Sequence, residues 1–203
     1  MYFHRQNKLS LIIKYRDMSK LLKRSLIIII GIIIIGIAGR SILISNTKKH
    51  SPEQTITHKS KEANFTVFYN RPFRKERVIF GGLVPFDQVW RTGANEATTF
   101  TTDKDILVDG TVLEAGTYSL WTIPGENSWK VIFNSGEYNW GVNFTDGNPS
   151  HDPKYDILTI EVPVQRLLNV IEQFSIYFQE ANDFTIMYLA WDQTAIAVPI
   201  KLK

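Results

Sequence analysis

The sequence predicts an all-β domain, an antiparallel β-sandwich or jelly-roll-like fold, behind one N-terminal transmembrane helix. Three observations lead there. SLIIIIGIIIIGIAGRSILIS (25–45) is 21 residues long and holds eleven isoleucines with a single charge, Arg40. From residue 64 onward, short apolar runs are broken by turn signals at the spacing of a sandwich. No βαβ alternation, internal repeat or low-complexity tract appears in residues 50–203.

The apolar stretch comes first. At ~1.5 Å per residue, a helix of that length spans roughly 30 Å, the thickness of a bilayer's hydrocarbon core. Isoleucine favours strands in water, but in lipid each backbone group must bond within its own segment, so the helix wins. Arg40 falls near one end, where its stem reaches the headgroups. Residues 1–24 form a basic tail with seven Lys/Arg against one acid, Asp17. That asymmetry keeps the N-terminus in the cytoplasm and sends the rest outward, to the periplasm or the cell surface. The rival reading is a cleaved signal peptide ending at Gly39-Arg40-Ser41, which the apolar Ile42-Leu43-Ile44 beyond it opposes. Met18, followed by SKLLKRS, is a second candidate start. Residues 46–62, NTKKHSPEQTITHKSKE, are polar and read as a tether, leaving 63–203 as the domain.

Strands follow in order. FTVFY (65–69) alternates, and ILVDGTVL (106–113) is the clearest hairpin, with Asp109-Gly110 supplying the two positive φ angles of a type I′ turn. TYSLWTI (117–123) runs to Pro124-Gly125, and WKVIF (129–133) returns. ILTIEVPV (157–164) puts Leu158, Ile160, Val162 and Val164 on one face. FSIYF (174–178), FTIMYLAW (184–191) and TAIAVPIKL (194–202) complete the series. Pro199 cannot donate to a ladder, which predicts an edge strand or a bulge there. VQRLLNVIEQF (164–174) spaces Val164, Leu167, Leu168, Ile171 and Phe174 as a helix face does, predicting one or two helical turns.

Charge and composition exclude several functions. Residues 50–203 carry thirteen Lys/Arg and nineteen Asp/Glu, so the domain is net −6 although the whole chain is +3. The basic balance belongs to the tail, which argues against nucleic acid as a partner. Without cysteine there is neither a lipoprotein anchor nor a disulfide framework. His4, His50, His58 and His151 show no ligand spacing, and there is no Gly-x-Ser-x-Gly elbow or P-loop. In DGNPSHD, Asp146, Asn148, Ser150 and Asp152 alternate like the start of a calcium loop, but His151 and Ile157 replace the expected glycine and glutamate. That loop reads as a polar turn, and no metal or cofactor is expected.

VWRTGANEATTF (89–100) is the stretch with the most specific chemistry. Gly93 admits a left-handed conformation, Asn95 suits an Asx turn and Ala94 keeps the corner narrow. Such a corner fixes the directions of Arg91 and Glu96. Read as architecture, Trp90 plugs the core while Arg91 and Glu96 pair. Read as a site, Arg91, Asn95 and Glu96 converge on a ligand as fork donor, amide and carboxylate. Arg71, Arg74, Lys75 and Arg77 precede it, and Arg71 or Arg77 would close one side of a pocket for phosphate, carboxylate or an acidic sugar. The alternative for that basic run is a solvated loop. Trp121, Trp129, Trp140 and Trp191 offer a sugar-stacking platform or, as more often in a sandwich, core.

The corner belongs to a longer unit, RPFRKERVIFGGLVPFDQVWRTGANEATTF (71–100). It is followed in order by LEAGTYSLWTIPG, WKVIFN, WG at 140–141, Asp156 before a strand, and LAWDQTAIAVPI. This series resembles a bacterial envelope family, domain of unknown function 2911, over about residues 64–202. The resemblance implies the fold and brings no established activity. The chain departs from the pattern at Thr159, where a basic residue often follows the Asp-x-Leu step. The resulting expectation is a membrane-anchored, outward-facing module, uncertain as an enzyme, that binds a small ligand, glycan or peptide. The alternatives are a structural or assembly protein of the envelope and an enzyme using Glu96 beside Arg91.

Overall fold

A computed structural model describes residues 3–60 and 63–203, in two compact units, residues 1–46 and 47–203. Helix α1 runs Phe3–His50 without a break. It is therefore longer than the expected 25–45 span, because no proline or capping glycine intervenes before Ser51-Pro52. Pro52 disfavours a helical Ser51, and the helix stops there. Within it, Lys20–His50 is long and apolar enough to cross a membrane.

In the second unit every pair of strands is antiparallel. Its strands are β1 (Glu53–Lys59), β2 (Asn64–Asn70), β3 (Thr99–Thr102), β4 (Ile106–Val108), β5 (Thr111–Leu113), β6 (Gly116–Pro124), β7 (Ser128–Asn134), β8 (Asp156–Ala181) and β9 (Phe184–Leu202). They hydrogen-bond in the order β1-β2-β3-β6-β7-β8-β9-β4-β5. The stretch expected as a tether contributes β1, which pairs with β2 from Glu53–Asn70 to Lys59–Asn64. Lys61 and Glu62, at the end of that stretch, lie outside the described residues.

Two long strands fold the sheet over on itself. The first part of β8 pairs with β7 (Ser128–Pro163 to Asn134–Asp156), and from Val164 onward it pairs with β9. The two layers share one core, in which Phe65, Val67, Phe100 and Val131 meet Met187, Leu189, Ile196 and Val198. Strands β6 and β7 are also covered on the opposite face, where Trp121, Ile132 and Ala97 pack with Val89 and Tyr138. Burial on both faces makes their sequences read as continuous apolar runs.

Two expectations are corrected here. Residues 164–174 are strand, not helix: between Arg166–Thr194 and Ser175–Ala190, β8 advances nine residues against four in β9. The surplus bulges outward and leaves Leu168 97% exposed, while Phe174 is buried. Ladder bonds on both sides of the segment override its helical spacing. The last run is not an edge strand, since β9 is flanked by β8 and β4. Pro199 is tolerated because the β8 ladder ends at Val164–Ile196, and its carbonyl accepts from the Asp109 N–H.

The Asp109-Gly110 hairpin has the expected geometry. Val108 pairs with Thr111, and the two turn residues have φ of 48° and 80°.

Candidate functional site

Trp90 is held by a two-way backbone bridge to Thr122 in β6, with N···O distances of 2.7 and 3.0 Å. That bridge turns its indole into the core among Phe80, Trp129, Phe174 and Trp191. The indole N–H then donates to the Gly93 carbonyl at 3.0 Å, so the side chain also ties the corner that follows it. The corner contains three positive φ angles, Thr92 at 54°, Gly93 at 150° and Asn95 at 55°. A Cβ on Gly93 would stand 2.8 Å from the Asn70 carbonyl oxygen, so glycine is required twice over. A β-branched residue at such a φ is strained, and Thr92 is kept there by burial and by two bonds. Its hydroxyl lies 3.1 Å from that of Thr122, and its carbonyl accepts from Thr98 Oγ1 at 2.7 Å.

The five residues expected to converge do not all meet. Asn95 is buried, and its amide donates to Asn70 Oδ1 and the Ser51 carbonyl rather than closing an Asx turn. Glu96 turns away from Arg91. One carboxylate oxygen accepts from Asn70 Nδ2 at 2.9 Å and the other lies 3.2 Å from Lys48 Nζ. Lys48 also bonds Glu53, and hydrogen bonds to Glu53 and then Glu96 hold its pKa above the ordinary lysine value despite partial desolvation. Arg71 is structural: it donates to the Phe174 carbonyl and to Ser175 Oγ, pinning the bulged part of β8. Arg77 folds back onto the carbonyls of Arg74 and Phe73.

Arg91 has a different environment. Its stem lies against Gly141, where an added Cβ would come within 2.2 Å of Cδ. Its Nε is buried without a hydrogen-bond partner among the described residues. Burial lowers its pKa, with no compensating carboxylate. Arg74, in contrast, has Asp192 Oδ1 2.9 Å from its Nε, close but off-axis for a hydrogen bond.

Beside the corner opens a cleft of ≈ 880 Å³. Arg91, Asn95 and Arg77 line it, whereas Glu96 and Arg71 do not. Several of its walls come from residues whose sequence context does not point to this site. His50 and Lys75 stand on one side, 3.2 Å apart at Nδ1 and Nζ, and Val142, Asn148 and Pro149 close another. Lys75 was visible only as part of a basic run. Asn148 stood out only as part of a calcium-loop-like run, and the Trp140-Gly141 landmark adds a second signal of this wall through the Gly141 N–H that donates to the Asn95 carbonyl.

The loop read as a polar turn, which supplies Asn148 and Pro149 to that wall, closes on itself. Asp146 Oδ1 accepts from the Asn148 N–H, and Asp152 caps a 3₁₀ turn (Pro153–Tyr155). The Lys154 side chain and then its N–H hold the Asp152 pKa below the usual carboxylate range. His151 Nε2 and Asp156 Oδ1 are 2.7 Å apart. Trp121, Trp129 and Trp191 are buried, while Trp140 is half-buried beside the exposed Phe144.

These features define a class: an antiparallel β-domain with a cleft beside a tight loop corner, and an apolar helix ahead of it. Over residues 51–200 the chain matches the family described as Protein of unknown function (DUF2911), and it belongs to that family. The matched region begins before β1, in keeping with that strand's place in the sheet. No curated protein and no solved structure matches the chain.

Proposed function

We propose that this protein is a membrane-anchored module, with its β-domain outside the cytoplasm, that binds a small ligand in the cleft beside Arg91. The observation that carries the reading is the cleft itself. It is concave, of a volume suited to a small molecule, and lined by apolar and polar side chains in comparable measure from separate segments. A corner locked by Trp90, Gly93 and Asn95 forms one rigid wall, as a binding scaffold requires. Catalysis has less support, because Glu96, the carboxylate nearest in sequence, is engaged by Asn70 and Lys48. The basic tail supports the outward placement.

The test is native mass spectrometry of the full chain, purified from membranes and incubated with a small-molecule extract of the producing cells. Wild type is expected to retain a ligand that Leu83→Trp and Val142→Trp, both on the cleft wall, do not. Equal retention by all three would overturn the reading. For orientation, a reporter fused after Lys203 should be active only outside the cytoplasm; activity confined to the cytoplasm would refute it.

A second reading, an envelope assembly contact, is favoured by Leu168 and Val170, which the β8 bulge holds 97% and 47% exposed. Site-specific crosslinking from position 168 should then trap a protein partner, and crosslinks no more frequent than from an exposed polar position would count against it.

A further inference from the structure

We infer that the ligand of this cleft carries an oxyanion, a carboxylate or phosphate joined to an apolar or aromatic body, and that Arg91 clamps it. The inference rests on the binding role proposed above and adds the ligand's chemistry. Residues 50–203 hold nineteen acidic side chains against thirteen Lys/Arg, so an ordinary surface of this domain contains carboxylates. Among the described residues the cleft wall contains none; its charged groups are Lys75, Arg77 and Arg91, with His50 beside Lys75. A cationic cleft in a net-anionic domain focuses field on an anion.

Other basic groups near the corner are already answered. Arg74 faces Asp192, Lys48 faces Glu53 and Glu96, and Arg71 and Arg77 cap backbone carbonyls. Arg91 is wedged against Gly141 with its buried Nε unbonded and its charge disfavoured by burial. Burying the Arg91 Nε without a partner is costly, and a carboxylate or phosphate arriving as a two-point acceptor gives the half-buried guanidinium the partner it lacks. A bare ion would leave most of ≈ 880 Å³ unfilled. Val84, Val89, Trp90, Val142 and Trp191 line the remainder and suit an apolar or aromatic body.

The experiment is isothermal titration calorimetry on the full chain in nanodiscs with inorganic phosphate, benzoate, phenyl phosphate and benzamide. Benzamide keeps the ring and planar head of benzoate and removes the charge. Benzoate or phenyl phosphate should bind at least about tenfold more tightly than benzamide, and Arg91→Gln should abolish that preference without lowering the melting temperature. The ratio of benzoate to phenyl phosphate affinity assigns the head group. Should Arg91→Gln fail to fold, Lys75→Gln and Arg77→Gln, both exposed, must weaken benzoate and leave benzamide unchanged; no change in either overturns the inference. Benzamide binding as tightly as both anions overturns the oxyanion while leaving a ligand cleft in place. If no probe binds, the inference falls, and if the extract also yields no ligand, the binding role falls with it.

Discussion

The side-chain amide of Asn70, at the end of β2, donates to the carboxylate of Glu96 at 2.9 Å, so the acid of the corner faces the sheet and not Arg91. The bond is part of a hub, because Asn70 also accepts from Asn95 and is fully buried. Glu96→Gln preserves an acceptor for Asn70 and loses the partly exposed pair with Lys48. The expected loss is at most ~1 kcal/mol of stability, with benzoate affinity unchanged. Chemical denaturation and calorimetry would check both, and a tenfold loss of affinity would return Glu96 to the site.

Trp90→Ala should be a stability mutant. The indole is 8% exposed, packs among four aromatic rings and bonds the Gly93 carbonyl, so its removal opens a cavity and loosens the corner. The expected cost is about 3–5 kcal/mol in urea denaturation. A loss below about 1 kcal/mol would mean the ring is not the plug of this core.

Gly110→Val isolates a backbone effect. A Cβ at Gly110 meets nothing within 4 Å, so no clash confounds the change, yet φ is 80°. A β-branched residue there should cost more than ~1 kcal/mol. An unchanged melting temperature would put the turn type, and the β4–β5 register resting on it, in error.

Alkaline pH offers a test of the core through Tyr69. Its phenol is 1% exposed and accepts from the Ile176 N–H at 3.0 Å. Burial raises its pKa, against smaller lowering effects of the Ile176 backbone bond and Arg71. A raised folded pKa means the stabilisation is complete below the unfolded value of about 10 and is lost as pH climbs through the folded one. Stability of wild type should therefore fall more steeply above about pH 10 than that of Tyr69→Phe. The variant itself starts lower by about 1–3 kcal/mol, since Ile176 loses its acceptor. Parallel curves would show that Tyr69 does not carry the alkaline loss.

Local chemistry was enough for much of this protein. Eleven isoleucines in 21 residues announce a segment that only lipid or a core can accept, whatever surrounds it. Asp109-Gly110 carries its turn type in two residues, and the alternation of Phe65, Val67 and Tyr69 marks a half-buried strand. Trp90 pointing inward follows from the size of its side chain. Pairing across the fold decided what local signals could not. Glu53–Lys59 looks like linker until Asn64–Asn70 lies beside it, and the helical spacing of 164–174 yields to ladders with β9 and a bridge from Gln173 to Phe73. Likewise, Arg91 and Glu96 are five positions apart in a tight corner, and nothing local forbids their pairing. They part because Asn70 and Lys48, from distant segments, take the carboxylate, while the Arg91 stem packs against Gly141 beside a cleft without an acid. Hydrogen-bond partners are chosen among whatever the folded chain brings within about 3 Å, and that neighbourhood exists only once the sheet has closed.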